Sequence, residues 1–450
     1  MKLFSKWITI FKQDKLLHKI LRNSGYLLSS NVASMGLSII QSIFAGRLLG
    51  VAGFGLIGTI TVFATTLNKI FSFRMNELIV KYFGESLAEN NLARGAAVVK
   101  AALIGETFSA IISFVLLIIL APYAASRLAD DPTTAPFFII YGLIILANFC
   151  YETSIGIIQV TNKFQRQAIV NLISSMVNAG IIAWAYLAGK GVFEILAAYI
   201  IGKFILGIGT SFIAWREMNH IIGRRWLSVS FAELPPLKEL LRFAFSTNLS
   251  NTIIMLVRDN EALWIAWFLT TVDVGYAKTA LAIINLVQVP ITPFIATTYP
   301  EINAAVVKKK WQLLRRILKR VTFISASWTL LTAFGLILFG KWLLLFYGPE
   351  FTPAYIPMLL FLVGLGFANI FFWNRPLLLS LGLPLVPYKV SLWCGIAKIG
   401  LAFLLVPRYG LNAEALLLSG FFVISISIIL AKGFKQIRIQ EIRKENLSTA

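Results

Sequence analysis

Long apolar stretches separated by short polar segments dominate this chain. A hydrocarbon core about 30 Å thick takes roughly 20 apolar residues per helical crossing. Runs that satisfy this fall at 24–46, 51–73, 98–121, 137–160, 168–188, 194–214, 243–268, 275–298, 321–346, 354–374, 385–407 and 411–433. They predict an all-α polytopic membrane protein with about twelve transmembrane helices. Alternation with a period of two is too weak for an outer-membrane barrel. Composition agrees, since 58% hydrophobic and 14% charged residues leave little from which to build a water-soluble surface.

The pattern repeats. "LRNSGYLLSSN" opens at Leu21 and "LRFAFSTNLSN" at Leu241, and the same offset of 220 carries Ser30-Asn31 onto Ser250-Asn251 and Gly55 onto Gly275 without a gap. Polar positions follow it too, with Ser38 on Arg258, Gln41 on Glu261, and Thr65, Asn68 and Ser72 on Asn285, Gln288 and Thr292. Six spans per half give both halves the same orientation, so the repeat is parallel, with a pseudo-two-fold axis along the membrane normal. Two such six-helix bundles imply a V-shaped molecule with a central cavity and alternating access by rocking. The expected organisation is a cytoplasmic amphipathic, basic segment at 1–22, a first bundle at 23–214, a cytoplasmic linker at 215–240, a second bundle at 241–434 and a basic cytoplasmic tail at 435–450.

Charge sets the orientation. Basic residues crowd the N-terminal segment, the 215–242 connection, the 299–320 connection (Lys308, Lys309, Lys310, Arg315, Arg316, Lys319, Arg320) and the C-terminal tail, whereas the alternate loops carry only Arg47, Arg127, Lys190, Lys341 and Arg408. The positive-inside rule then places both termini in the cytoplasm. The net charge of +21 faces anionic membrane lipid and lacks the aromatic platform that a nucleic-acid site needs. "MKLFSKWITIFKQDKLLHKILR" is too charged for a signal-peptide core and suits a helix lying on an anionic leaflet. Cys150 and Cys394 sit in apolar runs far apart, and only His18 and His220 are present, so neither a disulfide, a metal site nor a cofactor is expected.

Polar groups inside spans are costly and belong against other helices or water. Asn31, Ser34, Ser38 and Gln41 recur every three or four residues on span one, Asn248, Asn251, Arg258 and Glu261 on span seven, and Lys278, Asn285, Gln288 and Thr292 on span eight. Lys69, Arg74 and Lys389 are placed to snorkel to the cytoplasmic surface. Arg258, Lys278, Lys100 and Lys398 are cavity candidates, with Asn31, Ser38, Gln41, Asn251, Asn285 and Gln288 as neutral partners for a substrate. Glu106, Asp259 and Glu261 are candidates for a coupling ion. Basic residues outnumber acidic ones within the spans, which points to an anionic cargo bearing phosphate or pyrophosphate oxygens. Pro290 and Pro293 are expected to interrupt span eight.

"AGRLLGVAGFGLIGTITVF", "VRDNEALWIAWFLTTVDVGYAKTALAI" and "YPEINAAVVKKKWQLLRRILKR" resemble the bacterial polysaccharide flippases that handle O-antigen, capsule or related repeat units. Those proteins belong to the multidrug/oligosaccharidyl-lipid/polysaccharide exporter superfamily. The resemblance implies a non-enzymatic transporter of the bacterial cytoplasmic membrane that moves an undecaprenyl-pyrophosphate-linked oligosaccharide to the outer leaflet. It also implies cationic cavity residues for the pyrophosphate, here Arg258 and Lys278, with polysaccharide polymerase and glycosyltransferases as partners and a monomer as a workable state. The related lipid II flippases usually have fourteen spans, against the twelve counted here. A cation-coupled multidrug exporter of the same superfamily is the alternative, although the basic excess counts against it. An integral-membrane glycosyltransferase or polymerase would need a sizeable external loop with paired carboxylates or a catalytic His, and only Asp130-Asp131 is available. No G-x-x-x-x-G-K-[ST] loop occurs, so energy must come from an ion gradient, the membrane potential or onward consumption of the cargo.

Overall fold

The computed structural model describes residues 15–72, 75–236, 238–241, 255 and 260–449, with backbone alone at 15–28, 287–289, 292–297 and 443–449. The described chain is helical and contains no strand. In a membrane this is dictated by the backbone, because a helix satisfies its own N–H and C=O groups where water cannot. Each expected crossing is occupied by helix over most of its described residues.

Eight helical stretches among the described residues are long and apolar enough to cross a membrane. Two of these, Ser29–Ala88 and Leu385–Ile442, run 60 and 58 residues, enough for two crossings each. Each is broken at a glycine, Gly50 (φ 66°, ψ −176°) and Gly410 (φ 63°, ψ −153°). That backbone region is closed to side chains with a Cβ, so glycine is what allows the chain to turn there. Span eight breaks at its prolines, as expected: the helix Thr271–Gln288 passes through a short 3-10 turn at Val289–Ile291 into the helix Thr292–Val307.

Span four is also broken, into Ala135–Ala147 and Tyr151–Val160. Here the cause is distant in sequence. The Glu106 carboxyl group accepts the backbone N–H of Glu152 at 2.7 Å and of Thr153 at 2.9 Å, capping the second helix where its free donors emerge.

By packing the chain divides into two units, Met1–Leu48 with Phe63–Ala125 and Pro132–Leu249, and Leu49–Val62 with Ser126–Asp131 and Ser250–Ala450. Residues 49–62 and 126–131, from the first half of the chain, group with the second unit. The first unit has a core in which Met75, Ile79, Tyr82 and Phe83 meet Val98, Val99, Met218 and Trp226. The Tyr82 hydroxyl donates to Glu239 at 2.9 Å beside it.

The repeat is written into the packing of the second unit. A Cβ on Gly55 would run into the Thr271 carbonyl, and a Cβ on Gly275 into the Val51 carbonyl. Positions 51 and 271, like 55 and 275, lie 220 apart, so these are two copies of one contact. Missing side chains let the backbones approach closely, the usual device where apolar area gives no drive to associate. Thr59 and Thr279, both fully buried, satisfy their hydroxyls one turn back on their own helices, donating to the Gly55 and Gly275 carbonyls at 3.3 and 2.9 Å.

Candidate functional site

Beside this helix contact the second unit encloses a cavity of about 1100 Å³. Its wall includes Gly58, Thr61 and Val62 from span two, Glu261, Lys278 and Asn285 from spans seven and eight, and Asn369, Arg375, Tyr388, Phe421 and Phe422 further along. Apolar walls with a few polar groups are the usual build of a ligand site.

Lys278 is placed by the repeat. Its position in the first half is Gly58, and the lysine side chain lies against the surface which that glycine leaves open. Its ammonium sits 4.1 Å from the centre of the Phe54 ring, which is fully buried with Tyr347 and Phe351. A cation over an aromatic face is held by the ring quadrupole and keeps its hydrogen-bond donors available. Among the described residues Lys278 makes no ion pair.

Other expected residues lie elsewhere. Asn285 is exposed in the cavity wall, and Glu261 contributes to that wall while remaining only 4% exposed. Lys398 does not line the cavity. Its ammonium lies between Glu261, with which it makes a short ion pair, and Glu414, 3.0 Å away. Lys100, in the first unit, donates to the carbonyls of Leu227 (3.3 Å) and Val229 and sits over the Phe231 ring at 3.9 Å, so it anchors the 226–233 loop. Gln41 is buried and donates to the Ser175 carbonyl at 3.0 Å. Ser38 is exposed and donates to the Ser34 carbonyl one turn back, and Asn31 is exposed. Both Glu106 oxygens are engaged in the cap described above. Arg258, Asp259 and Asn251 lie outside the described residues, as does the Gln288 side chain.

Glu414 was not among the expected site residues, though it is fully buried and completes the cluster around Lys398. Its signal was a single carboxylate inside a strongly apolar span, at Glu414 in "LNAEALLLSG". The repeat also marks the second half as the charged one. Where the first half has Gln41 and Gly58, the second has Glu261 and Lys278.

Fold and site together define a polytopic helical membrane protein with a polar cavity set among apolar spans. Residues 20–306 match the family model described as "Polysaccharide biosynthesis protein", and with well over half of the chain covered, the protein belongs to that family. It is similar to inner membrane protein YghQ of Escherichia coli (strain K12), at 23% identity over 294 residues, 64% of this chain and 81% of that protein. Among solved structures, an inward-facing multidrug resistance MATE family transporter of the MOP superfamily superposes with a TM-score of 0.74 at 13% identity, covering 91% of this chain and 95% of the other. The lipid II flippase MurJ in an inward closed conformation superposes with a TM-score of 0.71 at 15% identity, covering 91% and 89%. At such identities the likeness is one of fold.

Proposed function

We propose that this protein is a flippase of the bacterial cytoplasmic membrane that carries an undecaprenyl-pyrophosphate-linked oligosaccharide repeat unit to the outer leaflet by alternating access, for cell-surface polysaccharide synthesis. The observation that carries the reading is Lys278, an ammonium facing a cavity of about 1100 Å³ with no carboxylate paired to it among the described residues. A buried-side cation left without an anion is a site for one, and pyrophosphate oxygens supply it. Asn285, Asn369 and Tyr388 in the same wall suit sugar hydroxyls. Membership in a polysaccharide biosynthesis family supports the same cargo. Lys278→Ala is expected to weaken binding of a polyprenyl-pyrophosphate sugar about 10- to 100-fold, the worth of a charged hydrogen bond of about 1.5–3 kcal/mol. Equal binding by wild type and variant would count against the assignment.

A second reading, a cation-coupled multidrug exporter, is favoured by the MATE-like fold and by the acidic Glu261 among Phe372, Phe421 and Phe422. Against it, Glu261 is already paired with Lys398. Export of organic cations from liposomes, without transfer of the lipid-linked sugar, would favour this second reading.

Both termini are assigned to the cytoplasm by the basic segments around spans one, eight and twelve. A reporter fused to the C-terminus is expected to be protected from external protease in intact cells, and its digestion there would reverse the topology.

A further inference from the structure

Glu261, Lys398 and Glu414 form a cluster to which anion binding gives no task. Their side chains are 6%, 2% and 0% exposed, and the one ammonium contacts both carboxyl groups. Among the described residues, two carboxylates against one ammonium leave an excess negative charge in a largely buried site. Among the described residues Glu261 Oε2 and Glu414 Oε2 have no hydrogen-bond donor, and Glu414 Oε1 has only the Lys398 ammonium 3.0 Å away. Such acceptors are costly to bury unless something supplies the missing donor or charge. The two carboxyl groups also face one another.

Among the described residues the surroundings do not restore the balance. Glu261 comes from the helix Glu261–Phe268, and Lys398 and Glu414 from Leu385–Thr449. The elements that share the cavity wall add two cations, Lys278 and Arg375, and the phenols Tyr299 and Tyr388. Neither cation pairs with the cluster: Lys278 sits over Phe54, and Arg375 is exposed.

We propose that Glu261 and Glu414 share one bound proton, making the cluster a proton site with Lys398 as its built-in counterion. A carboxyl O–H on one residue donates to a carboxylate oxygen of the other, which provides the absent donor and brings the net charge to zero. The proton enters from and returns to water in the cavity that Glu261 lines. An alkali cation fits poorly, because the tethered ammonium already holds the place between the carboxylates and repels a second positive charge. Proton release would place a net negative charge behind the cavity wall, so anion binding there weakens as pH rises. That last consequence rests on the proposed cargo, whereas the proton site does not.

The test is infrared spectroscopy of the full-length protein in nanodiscs, read as the carbonyl-stretch band of a protonated carboxyl and its shift in D₂O, with no cargo present. Failure of the cargo reading therefore leaves this result untouched. At neutral pH a cluster band is expected that disappears in both Glu261→Gln and Glu414→Gln, because either change leaves one carboxylate balanced by Lys398. It is expected to persist in Glu106→Gln and to double in Lys398→Met, where both carboxyls must hold protons. A band that survives both glutamine variants, or no band in the wild type, overturns the proposal. Loss of the wild-type band on adding sodium or potassium at fixed pH also overturns it, in favour of a metal cation, and that titration needs no variant to fold.

Discussion

Lys278 occupies in the second half the position that Gly58 holds in the first, and this one substitution gives the cavity its ammonium. Its charge, more than its bulk, is what the cargo reading uses, so Lys278→Arg is expected to retain most of the binding that Lys278→Ala loses. Lys100 makes a contrasting case. With two loop carbonyls and the Phe231 ring around it, Lys100→Met is expected to leave cargo binding unchanged and to free the 226–233 loop. Faster tryptic cleavage at the exposed Arg224 and Arg225 would report that release, and a fall in cargo binding with unchanged cleavage would contradict it. Both lysines stood out in the sequence as charges within apolar runs. Their difference was not legible there, because Lys100 meets its partners at positions 227–231, far along the chain. Glu414 is hard to read for the converse reason: a hydropathy window absorbs one carboxylate among leucines, and its meaning comes only from Lys398 beside it.

Among the helices, the breaks legible in the sequence are those with a local cause. Pro290 and Pro293 mark the interruption of span eight, and the gaps between the apolar runs ending at 46 and 407 and those opening at 51 and 411 mark the turns made at Gly50 and Gly410. The interruption of span four lacks such a marker, because it is held by Glu106, a residue of the preceding span that the sequence offered as an ion-coupling group. The Gly55–Gly275 contact was half legible. The offset of 220 paired the two glycines, but their direct approach emerged only in the packing. Gly55→Ala or Gly275→Ala forces a methyl group into a backbone carbonyl, at an expected cost of about 1–3 kcal/mol each. Since either change separates the same helices, the double variant should cost less than the sum. Gly180→Ala, where no atom lies within 4 Å of the added carbon, should be neutral or mildly stabilising. Thermal melting of the four variants against wild type checks this, and strictly additive losses would mean that the two glycines do not share a contact.

For the whole molecule, the sequence established the class through its apolar runs and the duplication through its fixed offset. The family match and the fold likeness to MATE and MurJ structures agree with that class. Duplication copies a scaffold, and divergence between the copies then shows where chemistry has been added. Here Gln41 against Glu261 and Gly58 against Lys278 place that chemistry in the second half. The central claim is that this half grips an anionic lipid headgroup during transfer between leaflets. The most direct measurement is transfer itself, using purified protein in liposomes with a fluorescent polyprenyl-pyrophosphate sugar on one side. Wild type should move the lipid, and Lys278→Ala, inserted and folded equally well, should move it about 10- to 100-fold more slowly. Transfer at the same rate in both, or none by wild type with or without an imposed ion gradient while organic cations are exported, would contradict the account.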